Sequence, residues 1–226
     1  MADFLAWSHS RRATYLECPK KLYHNAVAKK GHPDRIEFSQ SDAMIRGNLI
    51  DDALTKRISQ GVPLPSQFAP YEPMAQAVLA APGTKMTQVK LALDQAFQPC
   101  GFMDWDRAWL RVIYDVAVIN GDTASLGDWK NGMIWLESDQ LKIFAAAGFH
   151  HFPEVQVADT SYVWLAHGQT SDATYRRKDL PELWGDLLPA VENMQVSFKT
   201  NHWPATPSKR ACKFCEVRKR GMCQPG

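Results

Sequence analysis

The sequence predicts an α/β fold with a single core. A chain of 226 residues, of which 45% are hydrophobic and 22% charged, is long enough to bury one sizeable core. Residues 109–132 combine an apolar run with two turn signals, which is typical of a β-hairpin. Residues 41–60 and 180–198 repeat apolar side chains at helical spacing, which indicates two long helices.

The net charge, the hydropathy pattern and the cysteine count bear on the binding partners and the cellular compartment of the protein. The formal net charge is only +2, so any affinity for nucleic acid must come from local clusters of basic residues. The sequence has no apolar run of membrane-spanning length, and Met1–Trp7, which includes Asp3, is too short for a signal peptide. We therefore expect a cytoplasmic protein whose five cysteines are ligands or buried thiols and not disulfides.

Two short helices are expected near the N-terminus. Ser8 or Ser10 can cap the first helix, which must end before Pro19. Because Pro19 suits the first position of a helix, Cys18 lies where the N-cap of the second helix would be, and this helix should end near Gly31. A thiolate at a helix N-terminus is electrostatically favoured. The alternative for this stretch is an ordinary amphipathic hairpin with a buried thiol.

A third helix is expected over residues 41–60, with Gly61 as its end. On this helix Asp51 borders the apolar face, whereas Asp52 projects to the opposite side. Residues 62–73 then form a proline-rich connector, followed by a short helix to Ala81 and a strand over residues 88–93. The residues that share the apolar face of the third helix are Ala43, Gly47, Ile50, Leu54 and Ile58.

Three charged side chains of the predicted hairpin are candidate site residues. Asp115 interrupts its first strand, a turn follows at residues 120–122, and the return strand carries Asp128. Lys130 lies two residues later and therefore points to the same side as Asp128. Two carboxylates and an ammonium can hold Mg²⁺ or Mn²⁺ and present a positive group to a phosphate. The alternative is an edge-strand carboxylate next to an exposed cross-strand ion pair, since such triplets recur by chance.

The rest of the chain adds a helix, a strand and a group of cysteines. Ser138 can cap a helix that ends at Gly148, and residues 154–166 alternate as a strand. Cys212, Cys215 and Cys223 then lie close together at the C-terminus. Three thiols are one short of a closed tetrathiolate site for an iron-sulfur cluster or zinc, and Cys100 and the seven histidines fit no ligand pattern.

Four motifs together resemble one family. Asp115 followed by D-W-K at residues 128–130 resembles the signature of the PD-(D/E)XK nucleases in its RecB-like form, G-x-x-D and then D-Y-K-T-G. R-G-N-L-I-D resembles R-G-x-x-x-H, with Asp51 at the position of the histidine, and Q-L-K-I-F resembles Q-x-x-x-Y. Because Phe144 replaces that tyrosine, the hydrogen bond of its hydroxyl is expected to be absent. The run around Cys18 is similar to that of AddB-like and CRISPR-associated adaptation nucleases that carry an iron-sulfur cluster.

The resemblance implies a PD-(D/E)XK core, with a mixed central sheet flanked by helices and a small helical iron-sulfur lobe formed by both chain ends. It implies a single nuclease domain over residues 1–226, with an N-terminal helical part (1–83), a catalytic sheet and core helix (84–170) and a C-terminal helix with the cysteines (171–226). It also implies the following residue roles. Catalytic residues are Asp115, Asp128, Lys130 and Gln140; Mg²⁺ or Mn²⁺ ligands are Asp51, Asp115, Asp128 and Trp129; cluster ligands are Cys18, Cys212, Cys215 and Cys223, with Zn²⁺ as the alternative to a 4Fe-4S cluster; DNA contacts are Arg11, Arg12, Lys20, Lys21, Lys209, Arg210 and Lys213.

The implied reaction is metal-dependent hydrolysis of DNA phosphodiester bonds by an exonuclease acting on single-stranded ends, in recombination, repair, or phage or CRISPR DNA processing. Recombination or CRISPR-adaptation proteins are the implied partners, and a bacterial or phage-infected cell is the implied setting. Two alternatives stay open. One is a nucleic-acid-binding protein that has lost catalysis and keeps a structural metal lobe, and the other is a zinc-stapled endonuclease that acts on duplex DNA.

Overall fold

The computed structural model describes residues 3–134 and 139–223. The chain forms two compact units. We call Gln40–Trp184 the sheet unit, and Met1–Ser39 together with Gly185–Gly226 the terminal unit. Within the described residues, no helix combines the length and apolar character needed to cross a membrane.

The sheet unit contains a mixed six-stranded sheet in the order β2-β1-β3-β4-β5-β6. All neighbouring strands pair antiparallel except β4 and β5, which are parallel and joined through a helix. A mixed sheet with helices is the α/β fold that the sequence predicts. The elements are α3 (Asp42–Gln60), a 3₁₀ turn (Ser66–Tyr71), α4 (Glu72–Ala80), β1 (Thr84–Leu93), β2 (Pro99–Cys100), β3 (Leu110–Asn120), β4 (Thr123–Lys130), α5 (Asp139–His151), β5 (Val157–Trp164) and β6 (Gln169–Arg176).

The hairpin formed by β3 and β4 opens at its carboxylates. Its ladder runs from the turn pair Asn120–Thr123 to the pair Val116–Gly127 and stops there. Asp115 and Asp128 are the next residues on the two strands, and β4 continues beyond this point paired only to β5. The strands therefore separate where the two carboxylates lie, which leaves the backbone N–H of Trp129 without a ladder partner on β3.

Helix α5 packs closely on the sheet. Most of its side chains are buried, and residues 145–148 are three alanines and Gly148. A Cβ on Gly148 would lie 3.1 Å from Leu126 Cδ1 and 3.3 Å from Tyr114 Oη, so a larger residue would push the helix away. Tyr114 donates a hydrogen bond of 2.8 Å to the carbonyl of Phe144 and fixes the helix against β3. The predicted cap Ser138 lies outside the described residues.

Helix α3 has the predicted ends but a shorter core face than predicted. The Ser41 hydroxyl accepts the N–H of Met44 at 3.3 Å, and Gly61 ends the helix with a φ of +70°. Ile50, Leu54 and Ile58 are buried against the 3₁₀ turn and α4. Ala43 is exposed and Gly47 only half-buried, because the first turns of the helix extend past these packing partners.

The terminal unit joins both ends of the chain. Its elements are α1 (His9–Glu17), α2 (Pro19–Leu22) with a π-helical turn (Tyr23–Val27), most of α6 (Leu180–Thr200), α7 (Lys209–Lys213) and α8 (Glu216–Lys219). Leu5 and Gln195 exchange two hydrogen bonds of 2.8 Å, and Tyr15 Oη lies 2.9 Å from Ser197 Oγ. The N–H of Lys20 donates to the carbonyl of Pro204 at 3.1 Å. Residues far apart in sequence are thus held in one packed unit.

Candidate active site

The two hairpin carboxylates occupy the point where β3 and β4 separate. Asp115 Oδ2 accepts the backbone N–H of Trp129 at 2.7 Å, which satisfies the donor that the open ladder leaves free. Asp128 Oδ2 lies 2.6 Å from Lys130 Nζ, as the predicted strand alternation requires. This oxygen is buried, and the ammonium of Lys130 is its charged partner. The lysine therefore partly offsets the charge of the Asp128 carboxylate.

Asp51 of α3 reaches the same place through Gln88 of β1. The Gln88 side-chain amide Nε2 lies 2.9 Å from each carboxylate oxygen of Asp51 and 3.5 Å from Asp115 Oδ1. By contrast, Asp52 turns away and pairs with Lys56 at 2.6 Å. The structure thus brings Asp51, and not Asp52, to the hairpin carboxylates.

Gln88 belongs to the site although it lies outside all of the sequence motifs. Its backbone has a φ of +51°, a left-handed conformation that costs a non-glycine residue on the order of 1–2 kcal/mol. The distortion lies opposite Asp115, since the flanking pairs are Thr87–Val116 and Val89–Tyr114. A glutamine in an alternating strand resembles an ordinary surface residue, so only the folded backbone reveals its position.

Gln140 of α5 connects Asp128 to β5. Its Nε2 donates to Asp128 Oδ1 at 2.8 Å, and its Oε1 accepts the hydroxyl of Tyr162 at 3.0 Å. Phe144 is buried in the core, as its apolar ring requires. Phe144 has no hydroxyl to offer, and Gln140 instead accepts the hydroxyl of Tyr162, from the strand that pairs with β4 in the register Asp128–Tyr162.

Burial raises the pKa values of all three carboxyl groups, and the charge of Asp128 adds to the rise at Asp115 and Asp51. Burial, followed by the neighbouring charge of Asp128, raises the pKa of Asp115 to about 7. The pKa of Asp51 is raised by the same two causes, and the pKa of Asp128 is raised by burial against the opposing effect of Lys130. Three carboxylates thus share one nearby ammonium, and the group is under-compensated whenever all three are ionised.

The donor set suits a hard divalent cation by its chemistry. Carboxylate oxygens are the preferred protein ligands of Mg²⁺ and Mn²⁺, and a cation would offset the repulsion that raises these pKa values. Throughout residues 3–134 and 139–223, however, no three Asp, Glu, His or Cys side chains are grouped closely enough to hold a metal ion as they stand. The side-chain amide of Gln88 lies within hydrogen-bond distance of Asp51 and Asp115, so these carboxylates are linked through a neutral donor. Trp129 takes part through its backbone, while its side chain packs on the hydrophobic cluster that contains Ile50 and Leu54 of α3.

The four candidate cluster cysteines all belong to the terminal unit. Cys18 is the N-cap of α2, as predicted, and Cys215 precedes α8 in the same way. Cys215 is buried with Ile36 and Val217, and Cys223 packs against this group. Cys212 lies on α7. In residues 3–134 and 139–223, no three of these thiols lie close enough together, as they stand, to hold a metal ion.

The predicted DNA-binding residues of α7 lie together, whereas those of α1 and α2 have other contacts. Lys209 and Lys213 line a cavity of about 550 Å³ together with Arg218, which concentrates positive charge. Arg210 lies beside them on α7. Lys20 is only half-buried, and Lys21 pairs with Glu17 at 2.7 Å.

Two arginines of α1 donate hydrogen bonds to backbone carbonyls within the terminal unit. Arg12 is 5% exposed and donates to the carbonyls of Leu187 at 3.1 Å and Asp186 at 3.3 Å. Arg11 donates to the carbonyl of Ala6. Arg12 therefore leaves the set of candidate phosphate contacts, because its guanidinium is used inside the unit.

Comparison with solved structures supports the fold. The chain is similar to a protein from Eubacterium rectale named "putative exonuclease", with a TM-score of 0.56 and 10% identity over 98% of this chain and 90% of that one. A second structure, named SSO0001, is similar at a TM-score of 0.35 and 12% identity over 78% of this chain and 95% of that one, which is too weak to support an argument. No protein-family model and no curated protein matches the sequence. The likeness defines a fold shared with the Eubacterium rectale protein.

Proposed function

We propose that this protein is a nuclease that hydrolyses DNA phosphodiester bonds with the help of Mg²⁺ or Mn²⁺. The observation that carries the proposal is the meeting of Asp51, Asp115 and Asp128 with Lys130 where β3 and β4 separate. The similarity in fold to the "putative exonuclease" supports the same conclusion. We further propose that the fold is of the PD-(D/E)XK type in its RecB-like form.

Asp51, Asp115, Asp128 and the main chain of Trp129 would hold the metal ion. When bound, Mg²⁺ or Mn²⁺ supplies a Lewis acid and lowers the pKa of a bound water. The carboxylates must then be ionised, and the raised pKa of Asp115 means that this form is reached only near or above neutral pH without metal.

The other side chains orient the carboxylates and balance charge. The Lys130 ammonium, 2.6 Å from Asp128, is placed to orient a water molecule and to offset charge that develops on the phosphate oxygens. Gln140 holds Asp128 through one hydrogen bond, and Tyr162 fixes the orientation of that amide. Gln88 holds Asp51 through two hydrogen bonds. These neutral groups keep the acidic cluster together without adding charge.

We propose that the substrate is a single-stranded DNA end, that cleavage is exonucleolytic, and that recombination or CRISPR-adaptation proteins are partners. A DNA-binding protein without catalytic activity is the main alternative. The position of both hairpin carboxylates where the strands separate, with Lys130 2.6 Å from Asp128, argues against it, since binding alone does not need a buried acidic cluster that repels phosphate.

The decisive experiment uses purified protein and DNA labelled at the 5′ or the 3′ end, as single and double strands, with Mg²⁺, Mn²⁺ or EDTA. We expect cleavage only with metal. Asp128→Ala should abolish it, and Lys130→Ala should slow it by roughly a hundredfold, as loss of one charge-stabilising group does. Lys56→Ala, an exposed lysine that also pairs with an aspartate, is the matched control and should cleave normally. Wild-type cleavage by Asp128→Ala would contradict the site.

We also propose that Cys18, Cys212, Cys215 and Cys223 hold one 4Fe-4S cluster, with Zn²⁺ as the alternative. The proposal is supported by the membership of all four in one compact unit and by the contact of Cys223 with the group around Cys215. Four thiolates are a suitable donor set for either centre, and free thiols of this number suit a reducing cytoplasm. The cluster would crosslink the two ends of the chain.

A further inference from the structure

An open strip of the sheet leads away from Asp115. On β3, the side chains of residues 110, 112, 114 and 116 are buried, whereas Arg111, Ile113 and Asp115 on the opposite face are half-buried or exposed. Exposed Lys90 of β1 is the direct partner of Ile113, and directly opposed residues share one face. From Asp115 to Arg111 the strip is about 13 Å long, at roughly 3.3 Å per residue.

The far end of the strip carries an aromatic and cationic group. Arg111 Cζ lies 4.0 Å from the centre of the Trp105 ring and 5.7 Å from that of Phe102. Trp105 is 63% exposed and its neighbour Met103 is 65% exposed. The exposed indole of Trp105 therefore lies beside a guanidinium, which is a combination that stacks nucleic-acid bases.

The positive charge of Arg111 is poorly compensated. Its Nε and Nη2 atoms are buried and have no hydrogen-bond partner in the described part of the chain. Burial lowers the pKa of Arg111, which means that loss of water disfavours its charged form and that a nearby anion would relieve the cost. Two acids of the neighbouring loops are bound by Arg107. Asp94 pairs with the Arg107 side chain at 2.9 Å, and Asp104 accepts the Arg107 backbone N–H at 3.2 Å.

We propose that this strip is the track of a single DNA strand, with an unpaired base stacked on Trp105 and phosphates attracted by Lys90 and Arg111. The inference rests on the proposed nuclease function and specifies its substrate. Stacking on an exposed indole requires a base that is free of its complement, which a single strand offers and an intact duplex does not. At about 3.4 Å per stacked nucleotide, Trp105 reads a base about four nucleotides from the carboxylates.

The binding test uses fluorescence anisotropy of labelled single-stranded oligonucleotides in EDTA, so that cleavage does not interfere. Trp105→Ala should raise Kd by about 5- to 150-fold, while Trp105→Phe, which keeps a stacking ring, should bind nearly as the wild type does. Lys90→Ala should reduce the slope of log K against log salt by about 0.7, the value for one phosphate contact of a single strand. Val62→Ala, another exposed apolar residue of the sheet unit, is the control and should change nothing.

A series of abasic strands locates the contact. One abasic position should weaken wild-type binding as much as Trp105→Ala does, and the variant should show no further loss on that strand. Losses that add in full, or unchanged binding by Trp105→Ala, would overturn the track. Unfolding by circular dichroism checks that each variant is folded.

Cleavage assays separate this proposal from the proposed function. If the wild type cleaves, Trp105→Ala should raise KM and leave kcat nearly unchanged, and the effect should vanish on strands too short to reach Trp105. A wild type that binds single strands through Trp105 but never cleaves would refute the nuclease and support the track. If the wild type cleaves DNA and Trp105→Ala cleaves and binds it equally well, the track is refuted but the nuclease function is not.

Discussion

Replacing Asp115 by Asn should change how stability depends on pH when divalent metal is absent. The folded protein binds the Asp115 proton more tightly than the unfolded chain does, because its pKa is raised from 3.8 to about 7. Stability therefore falls as the pH rises from about 4 to about 7, where the unfolded carboxyl is already ionised, and stays lowered above that range. Asparagine carries no such charge, so the variant should lack this part of the decline.

The structure sets the size of the effect. A rise of the pKa from 3.8 to about 7 corresponds to roughly 4 kcal/mol at about 1.36 kcal/mol per tenfold change in proton affinity. Asp115 and Asp128 share this cost, since each raises the energy of the other's charge, so we expect a difference of on the order of 2–4 kcal/mol. The asparagine oxygen can still accept the Trp129 N–H that Asp115 accepts at 2.7 Å, which preserves the local structure.

Urea denaturation in EDTA at about pH 5 and about pH 8 measures this difference. Relative to the wild type, Asp115→Asn should gain stability between the two pH values. Mn²⁺ at about pH 8 should stabilise the wild type and not the variant. Asp52→Asn, whose carboxylate is exposed and paired with Lys56, is the control and should follow the wild-type profile. Parallel profiles for Asp115→Asn and the wild type would refute the reasoning.

Three further predictions concern the other predicted residues. Asp51→Ala should weaken Mn²⁺ binding and slow cleavage, whereas Asp52→Ala should do little; calorimetry and rate measurements would contradict the placement of α3 if Asp52 had the larger effect. Gln88→Gly should relieve up to about 1–2 kcal/mol of backbone strain at its φ of +51°. It should also reduce cleavage, because Asp51 loses two hydrogen bonds. A thermal melt measures the first effect and a rate assay the second, and an unchanged rate would remove Gln88 from the site. Cys18→Ser should lower the iron and sulfide content and the thermal stability of anaerobically purified protein, while Cys100→Ser should change neither; colourless protein with stoichiometric zinc would favour the zinc alternative.

Helices and hairpins whose ends are set by local capping or turn residues could be predicted from the sequence. Ser41 and Gly61 define α3 by a side-chain cap and a left-handed residue, and the structure has both. The hairpin is equally local, since its turn and its alternating apolar residues lie within one stretch of chain. Asp115, Asp128 and Lys130 could be placed together for the same reason.

Features that depend on tertiary pairing could not be predicted. Strand β6 reads Q-T-S-D-A-T-Y-R and has no buried residue, so its edge position leaves no apolar alternation to detect. Tyr162 becomes a partner of Gln140 only through the parallel register of β5, and no local pattern specifies that register. Gln88 depends on a backbone distortion that a glycine would have signalled and a glutamine does not.

The contact of Asp128, Gln140 and Tyr162 also bears on how the chain selects its strand pairing. Parallel strands joined by a long crossover have no tight turn to fix their alignment. Here a crossover side chain, Gln140, bonds to one residue on each strand, and those two residues are direct partners. A slip of one residue would turn Tyr162 to the other face and break the chain of hydrogen bonds. The polar groups that hold Asp128 thereby also fix the register of β4 and β5. Substitutions at Tyr162 will therefore disturb both folding and catalysis, whereas substitutions at Trp105 should change DNA binding without affecting folding.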